Sequence, residues 1–231
     1  MAKKKTKRRK NNLAVCIPDV HCPDTDSKAL EWALDLVREL NPYRVILLGD
    51  LMDFHSISRF GKSPAAAMTF PYEKRAGRAL IKKLDQEFRR KEVIYILGNH
   101  EYRLAKYLWK HAPELSELGD LAITELLKVP DRWEVVPFGG AHMEQGVICM
   151  HGKKFSKNVL NSNLSEYACS SIQGHSHRLG VIHRRLPDGR VISAAECGTL
   201  QNLDVDYCVF TNWCQGIGII ENGNVRIVRR E

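Results

Sequence analysis

Histidine, aspartate and asparagine recur along this chain in short clusters. Asp19 and His21 stand as Asp-x-His. Gly49-Asp50 is followed three residues later by Asp53. Gly98-Asn99-His100-Glu101, His151-Gly152 and Gly174-His175-Ser176-His177 complete the series. Imidazoles mixed with carboxylates suit borderline divalent cations such as manganese, iron(II) or zinc, whereas an all-oxygen set would favour magnesium or calcium. The candidates are too many for one ion and enough for two. Two cations ~3.5–4 Å apart need a shared anion between them, so one carboxylate is expected to bridge. A lone Asp after a strand is ordinarily a helix cap, and a lone His an ordinary surface or core group. Five clusters in a row are poorly explained that way.

Each cluster directly follows an apolar run of strand length, at residues 13–18, 44–48, 93–97, 147–150 and 171–173. In open α/β sheets that carboxyl edge is where ligands bind. The glycines at 49, 98, 152 and 174 are expected to allow sharp turns out of the strands. Between the runs, apolar spacing predicts helices at 27–40 (Leu30, Ala33, Leu34, Val37), 72–90, 102–111, 121–128 and 156–168, with a loop at 54–71. Further short strands are expected at 133–137, 179–186, 191–195, 217–220 and 225–228. Pro187-Asp188-Gly189 and Asn222-Gly223-Asn224 read as hairpin turns. Strand–helix alternation followed by hairpins predicts a single α/β domain with a pair of mixed sheets over residues 13–231.

The ordered motifs Asp-x-His, Gly-Asp-x-x-Asp, Gly-Asn-His-Glu, His-Gly and Gly-His-x-His resemble those of the calcineurin-like metallophosphoesterases, across residues 19–177. The resemblance implies a four-layer αββα sandwich with a dinuclear metal site at the strand carboxyl ends. It implies that Asp19, His21 and His177 hold one metal, that Asn99, His151 and His175 hold the other, and that Asp50 bridges. It also implies in-line attack on a phosphate ester by a hydroxide shared between two divalent ions, most simply manganese, with iron or zinc as alternatives. His100 matches the family's catalytic histidine and Asp53 its orienting carboxylate. Phe54 stands where the family's protein phosphatases carry Arg, which argues against protein dephosphorylation. Glu101 replaces the Asp of many nuclease members.

Beyond the motifs, His55, Arg59 and Arg103 lie close enough in sequence to touch a phosphate, or to be solvated, and Lys153 and Lys154 would add positive field after His151. His111, His142 and His183 match no motif, and Tyr207 and Trp213 read as packing residues. Apolar residues at 44% and charged residues at 27% of the 231 exclude wholesale disorder and are ordinary for a globular chain. The net charge of +8 sits in one place: residues 3–10 read KKKTKRRK, and removing those seven from the 35 Lys and Arg leaves 28 against 27 Asp and Glu. Residues 1–12 are therefore expected to be a basic disordered tail, either an arm for nucleic acid or a solubility tail. The odd count of seven cysteines, with no CxxC pair, fits reduced thiols, and Cys16, Cys149 and Cys169 read as core residues. No apolar run is long enough to span a membrane, and the run at 13–18 is too short for a signal-peptide core, so a cytoplasmic, full-length protein is expected. Three functions compete. The leading one is a phosphodiesterase on nucleic acids or nucleotides. The alternatives are a phosphomonoesterase on a nucleotide or other small molecule, and a nucleic-acid-binding protein with a structural metal site.

Overall fold

The computed structural model describes residues 12–59, 68–204 and 211–231. The basic tail at 3–10, Gly61, Pro64, Tyr207 and Cys208 lie outside the described residues. The strands are β1 (Leu13–Ile17), β2 (Arg44–Leu47), β3 (Glu92–Ile96), β4 (Glu134–Val136), β5 (His142–Glu144), β6 (Val147–Met150), β7 (Ser170–Gln173), β8 (Leu179–Arg185), β9 (Val191–Cys197), β10 (Gly216–Glu221) and β11 (Asn224–Arg229). The helices are α1 (Ser27–Leu40), α2 (Phe70–Glu87), α3 (Tyr102–His111), α4 (Ile123–Leu127) and α5 (Val159–Tyr167).

Two mixed sheets form. The first has the order β11-β10-β1-β2-β3-β4, with β1 to β4 parallel and β10 antiparallel to β1. The second has the order β5-β6-β7-β9-β8, with β6, β7 and β9 parallel. Because a parallel strand is covered on both faces, its run is apolar throughout, and alternate residues serve different layers. Val15, Ile17, Val45, Leu47, Val93 and Tyr95 face α1, α2 and α4. Their neighbours Ala14, Cys16, Ile46, Leu48 and Ile94 face the second sheet, where Cys149, Ile172, Ala195 and Cys197 meet them. On the far side, Leu160 and Leu164 of α5 pack on Ile182, Ile192 and Ala194. The outcome is the expected αββα order of layers.

Local chemistry explains the boundaries. Asp26 caps α1 by accepting the N–H groups of Lys28 and Ala29, and Asn41 closes it in a left-handed conformation. Thr69 caps α2, which therefore starts at Phe70, two residues before the apolar stripe suggests. The helix expected at 121–128 is only α4, preceded by single 3-10 turns at Pro113–Leu115 and Gly119–Leu121. The helix expected from residue 156 begins at Val159. Strand β5 has no counterpart in the apolar pattern, because side-chain chemistry holds it. Its Glu144 is buried, takes hydrogen bonds from Tyr43 and Arg44, and lies 3.5 Å from His142. Burial opposes ionisation there, but His142, Tyr43 and Arg44 hold its carboxyl down at about 2. Cys16 and Cys149 lie in the core, while Cys169 is only half-buried. No helix among the described residues is long and apolar enough to cross a membrane.

The seam between the sheets leaves no spare room at Gly218. A Cβ there would stand 2.3 Å from Ile172 Cδ1 and 2.7 Å from Cys197 Sγ. Gly218→Ala should cost ~1–3 kcal/mol by overpacking, measured by urea unfolding. Adding Ile172→Val, which removes the clashing methyl, should recover part of that loss; simple additivity of the two changes would contradict the contact.

Candidate metal centre

The five strand-end clusters converge. Asp19 and His21 follow β1, Asp50 follows β2, Asn99 and His100 follow β3, His151 follows β6, and His175 and His177 follow β7. All are carboxyl ends of parallel strands, so both sheets deliver side chains to one edge. The chain must turn abruptly there, and it does so in the left-handed region. Asp19 (φ 30°), His21 (52°), Asp50 (47°), His175 (70°) and His177 (59°) all have positive φ. Such a conformation costs a residue with a Cβ roughly 1–2 kcal/mol, and clusters of it mark sites that surrounding contacts over-determine.

Glycine supports these turns in two ways. Gly49 (φ 94°) and Gly152 (φ 104°) turn left-handed as expected. Gly98 and Gly174 do not. Their role is clearance: a Cβ on Gly98 would lie 2.1 Å from Asp50 Oδ1, and one on Gly174 2.0 Å from Asp19 Oδ2. The carboxylates occupy that space and accept backbone N–H groups there. Asp50 Oδ1 takes the His100 N–H at 2.8 Å, and both Asp19 oxygens lie 3.0 Å from the His175 nitrogen. From the carboxyl end of β9, Thr199 Oγ1 and the Leu200 N–H both donate to the Asp19 carbonyl.

Among the described residues, three groups of side chains could each hold a cation, with ligand atoms all within 4.8 Å of one another: Asp19, His21 and His177; His21, Asp50 and His100; and Asp50, His151 and His175. Asp50 belongs to two of them. Its Oδ2 is 3.3 Å from His151 Nε2, 3.7 Å from His100 Nε2 and 3.9 Å from His21 Nε2. His21 Nε2 faces His177 Nε2 at 3.0 Å. Asn99 Oδ1 is 2.9 Å from His151 Nε2, and His151 Nδ1 donates to the Leu48 carbonyl at 2.8 Å, which aims Nε2 into the site. The mixed nitrogen and oxygen donors fit two borderline divalent ions.

Burial opposes charge throughout, and the pairing overcomes it for most groups. His151, His100 and His21 hold the Asp50 carboxyl well below the carboxylate range despite burial. Asp19 and Asp53 are likewise lowered by the imidazoles beside them. His21 rises to about 10 and His151 to about 9, because adjacent carboxylates outweigh burial. His175 falls to about 4 through burial and the charge of His151. Metal binding must therefore displace protons from His21 and His151.

Asp53 stands between two rings. Its Oδ1 lies 3.0 Å from His100 Nδ1 and 3.3 Å from His21 Nδ1. Arg103 donates to the Asp53 carbonyl at 2.6 Å and to His100 Nε2 at 2.7 Å, which brings it to the site and off the surface. Phe54 is buried and packs on Phe70. His55 sits 3.9 Å from Asp53 Oδ2, and Trp213 packs edgewise on His177 with ring centroids 4.4 Å apart. Glu101 is the residue whose role the motif conceals. Fully enclosed, its carboxylate accepts the N–H groups of Gly98 (2.7 Å), Asp50 (2.9 Å) and Met52 (2.9 Å). Burial and the Asp50 charge push its carboxyl up, and those N–H groups offset part of the rise.

Two mycobacteriophage proteins are similar to this chain over 225 residues: the Gene 54 protein of phage D29 at 27% identity and that of phage L5 at 26%, each spanning 89% of this chain and 87% of theirs. Among solved structures, a dimetal phosphatase of Danio rerio covers 94% of this chain and 95% of its own, at 12% identity and a TM-score of 0.49. The phosphoesterase Yfce of E. coli covers 94% and 98%, at 17% identity and a TM-score of 0.46. A nuclease of Pseudomonas putida covers 93% and 86%, at 14% identity and a TM-score of 0.40. Residues 14–210 match the calcineurin-like phosphoesterases, and the chain belongs to that family of metal-dependent hydrolases of phosphate esters.

Proposed function

We propose that residues 13–231 form one phosphodiesterase domain that uses two metals to cleave nucleic acid or nucleotide esters. Asp19, His21 and His177 hold one cation, Asn99, His151 and His175 the other, and Asp50 bridges them, with manganese the best match to the donors. When bound, the two ions neutralise phosphate charge and acidify a water. The observation that carries the substrate class is Phe155. Its ring is 64% exposed, stands edge-on to His175 at 6.0 Å, and lies under the Arg178 guanidinium at 5.7 Å. An exposed aromatic face beside a phosphate-cleaving centre is a stacking platform for a base. The basic tail 3–10 adds a sequence-independent attraction for polyphosphate.

His100 and Arg103 do the work on the leaving side. In the resting arrangement Arg103 donates to His100 Nε2, so that nitrogen is an acceptor, while Nδ1 lies 3.0 Å from Asp53 Oδ1. An incoming phosphate competes for the guanidinium, which suits bidentate phosphate contact. His100 Nε2, released from Arg103, can then take a proton from water and give it to the departing oxygen.

Five outcomes are expected. Asp50→Asn should abolish turnover and lower metal content at both sites; two full equivalents by elemental analysis would remove the bridge. His100→Asn should keep both metals, lose little on nitrophenyl esters, and lose on the order of 10²–10⁴-fold on esters with an alkoxide leaving group. Asp53→Asn should show a milder form of the same split. Equal loss on both ester types would make His100 a charge stabiliser at phosphorus, and loss of metal would make it a ligand. Finally, with manganese present, turnover of bis(4-nitrophenyl) phosphate and of single-stranded DNA or RNA should exceed that of 4-nitrophenyl phosphate. Phe155→Ala should weaken oligonucleotide binding, read by fluorescence anisotropy, by roughly 5–100-fold, the worth of one stacked base. Monoester preference would favour the phosphomonoesterase instead.

A further inference from the structure

A cavity of about 310 Å³ opens behind the metal centre, between the outer face of the second sheet and α5. Its size is at the lower end of the ~300–1,000 Å³ of small-molecule sites, right for one nucleoside and too small for a macromolecule. Ile148, Met150 and Val159 make its apolar walls, and Gln173 and Asn163 are its buried polar groups. Gln173 is 1% exposed. Its Oε1 accepts the Asn163 amide at 2.7 Å, and its Nε2 has no hydrogen-bond partner among the described residues. A buried donor left unsatisfied costs ~1–3 kcal/mol, and this one borders a space large enough to supply an acceptor. Gly152 keeps the approach open, since a Cβ there would crowd Gln173 Nε2 at 3.3 Å. Lys154 is taken by Glu166, but Lys153 leans over the rim with Nζ 2.8 Å from where a Cβ of Gly139 would stand.

The cavity thus offers apolar walls, an inward amide donor and a cation at its mouth. One wall is His151, which also belongs to the Asp50–His151–His175 group. We infer that this cavity binds the base of the nucleotide whose phosphate lies at the neighbouring centre, and that Gln173 Nε2 donates to a ring carbonyl such as that of uracil. The inference rests on the phosphodiesterase reading and adds a base-recognition site to it.

The test is calorimetric titration of the full chain with uridine 5′-monophosphate and with ribose 5-phosphate, which carries the phosphate without the base. Uridine 5′-monophosphate should bind at least tenfold more tightly. That advantage should vanish in Gln173→Leu, which removes the donor, and in Val159→Trp, which fills the cavity; thermal unfolding checks that each variant is folded. Equal affinity of the two ligands for the unmodified protein would mean that the cavity holds water only and would overturn the inference. So would an advantage that survives in both variants. Turnover of bis(4-nitrophenyl) phosphate, measured on the same preparation, separates the two claims. Turnover without base preference overturns only the cavity, and no turnover overturns the phosphodiesterase reading itself.

Discussion

The site depends on a buried carboxylate that touches no phosphate. Two chain segments leave the first sheet side by side, after β2 and after β3, and each must bend sharply. Glu101 lies between them and takes three backbone N–H groups, two from the first bend and one from its own. A buried N–H left without an acceptor costs ~1–3 kcal/mol, and this one carboxyl serves three. That single group fixes the separation of Asp50 from Asn99 and His100. Without it, three buried donors would lack acceptors and the left-handed backbone at Asp50 would lose its main support.

The same device recurs with the proposed ligands themselves. Asp50 and Asp19 each receive an N–H from a neighbouring turn as well as facing the imidazoles. Their orientation is therefore set by backbone, before any cation arrives, and only a few side-chain torsions remain to be ordered. Tight placement of three carboxylates and several imidazoles also divides the titrations. His21 and His151 are driven cationic by the acids beside them, while His175 is kept neutral by burial and by His151. Each half of the site thus pairs an imidazole raised by neighbouring carboxylates with one lowered by burial, His21 with His177 and His151 with His175.

Much of this was legible in the sequence, for a physical reason. Parallel strands buried on both faces must be apolar runs, and runs such as Val45–Leu47 and Val147–Met150 announce themselves; the polar residues just past them then stand out. Strand β5 was invisible because polar contacts to Tyr43 and Arg44 hold it, and no apolar period records them. The late start of α5 was hidden because residues 156–158 share its polar character without its backbone. Within the motifs, the letters named the candidate ligands but not what holds them. Glu101 read as a variant of another acid, and Arg103 as a surface charge as readily as a phosphate contact. The glycines at 98 and 174 looked like turn formers, yet they leave space for carboxylate oxygens. Nothing in the sequence marked the cavity under α5, since its lining comes from four separate stretches of chain.

The pairing of β1 has a consequence for how the molecule is made. Leu13 lies opposite Glu221 in the sheet, so the strand that carries Asp19 and His21 is flanked on one side by a strand synthesised some two hundred residues later. Contacts so distant in sequence form slowly, and a chain emerging from the ribosome meets them last. The second sheet, with His151, His175 and His177, is one continuous stretch from β5 to β9 and can pair within itself first. The nascent chain can therefore pair its second sheet before the strand that carries Asp19 and His21 gains its last neighbour.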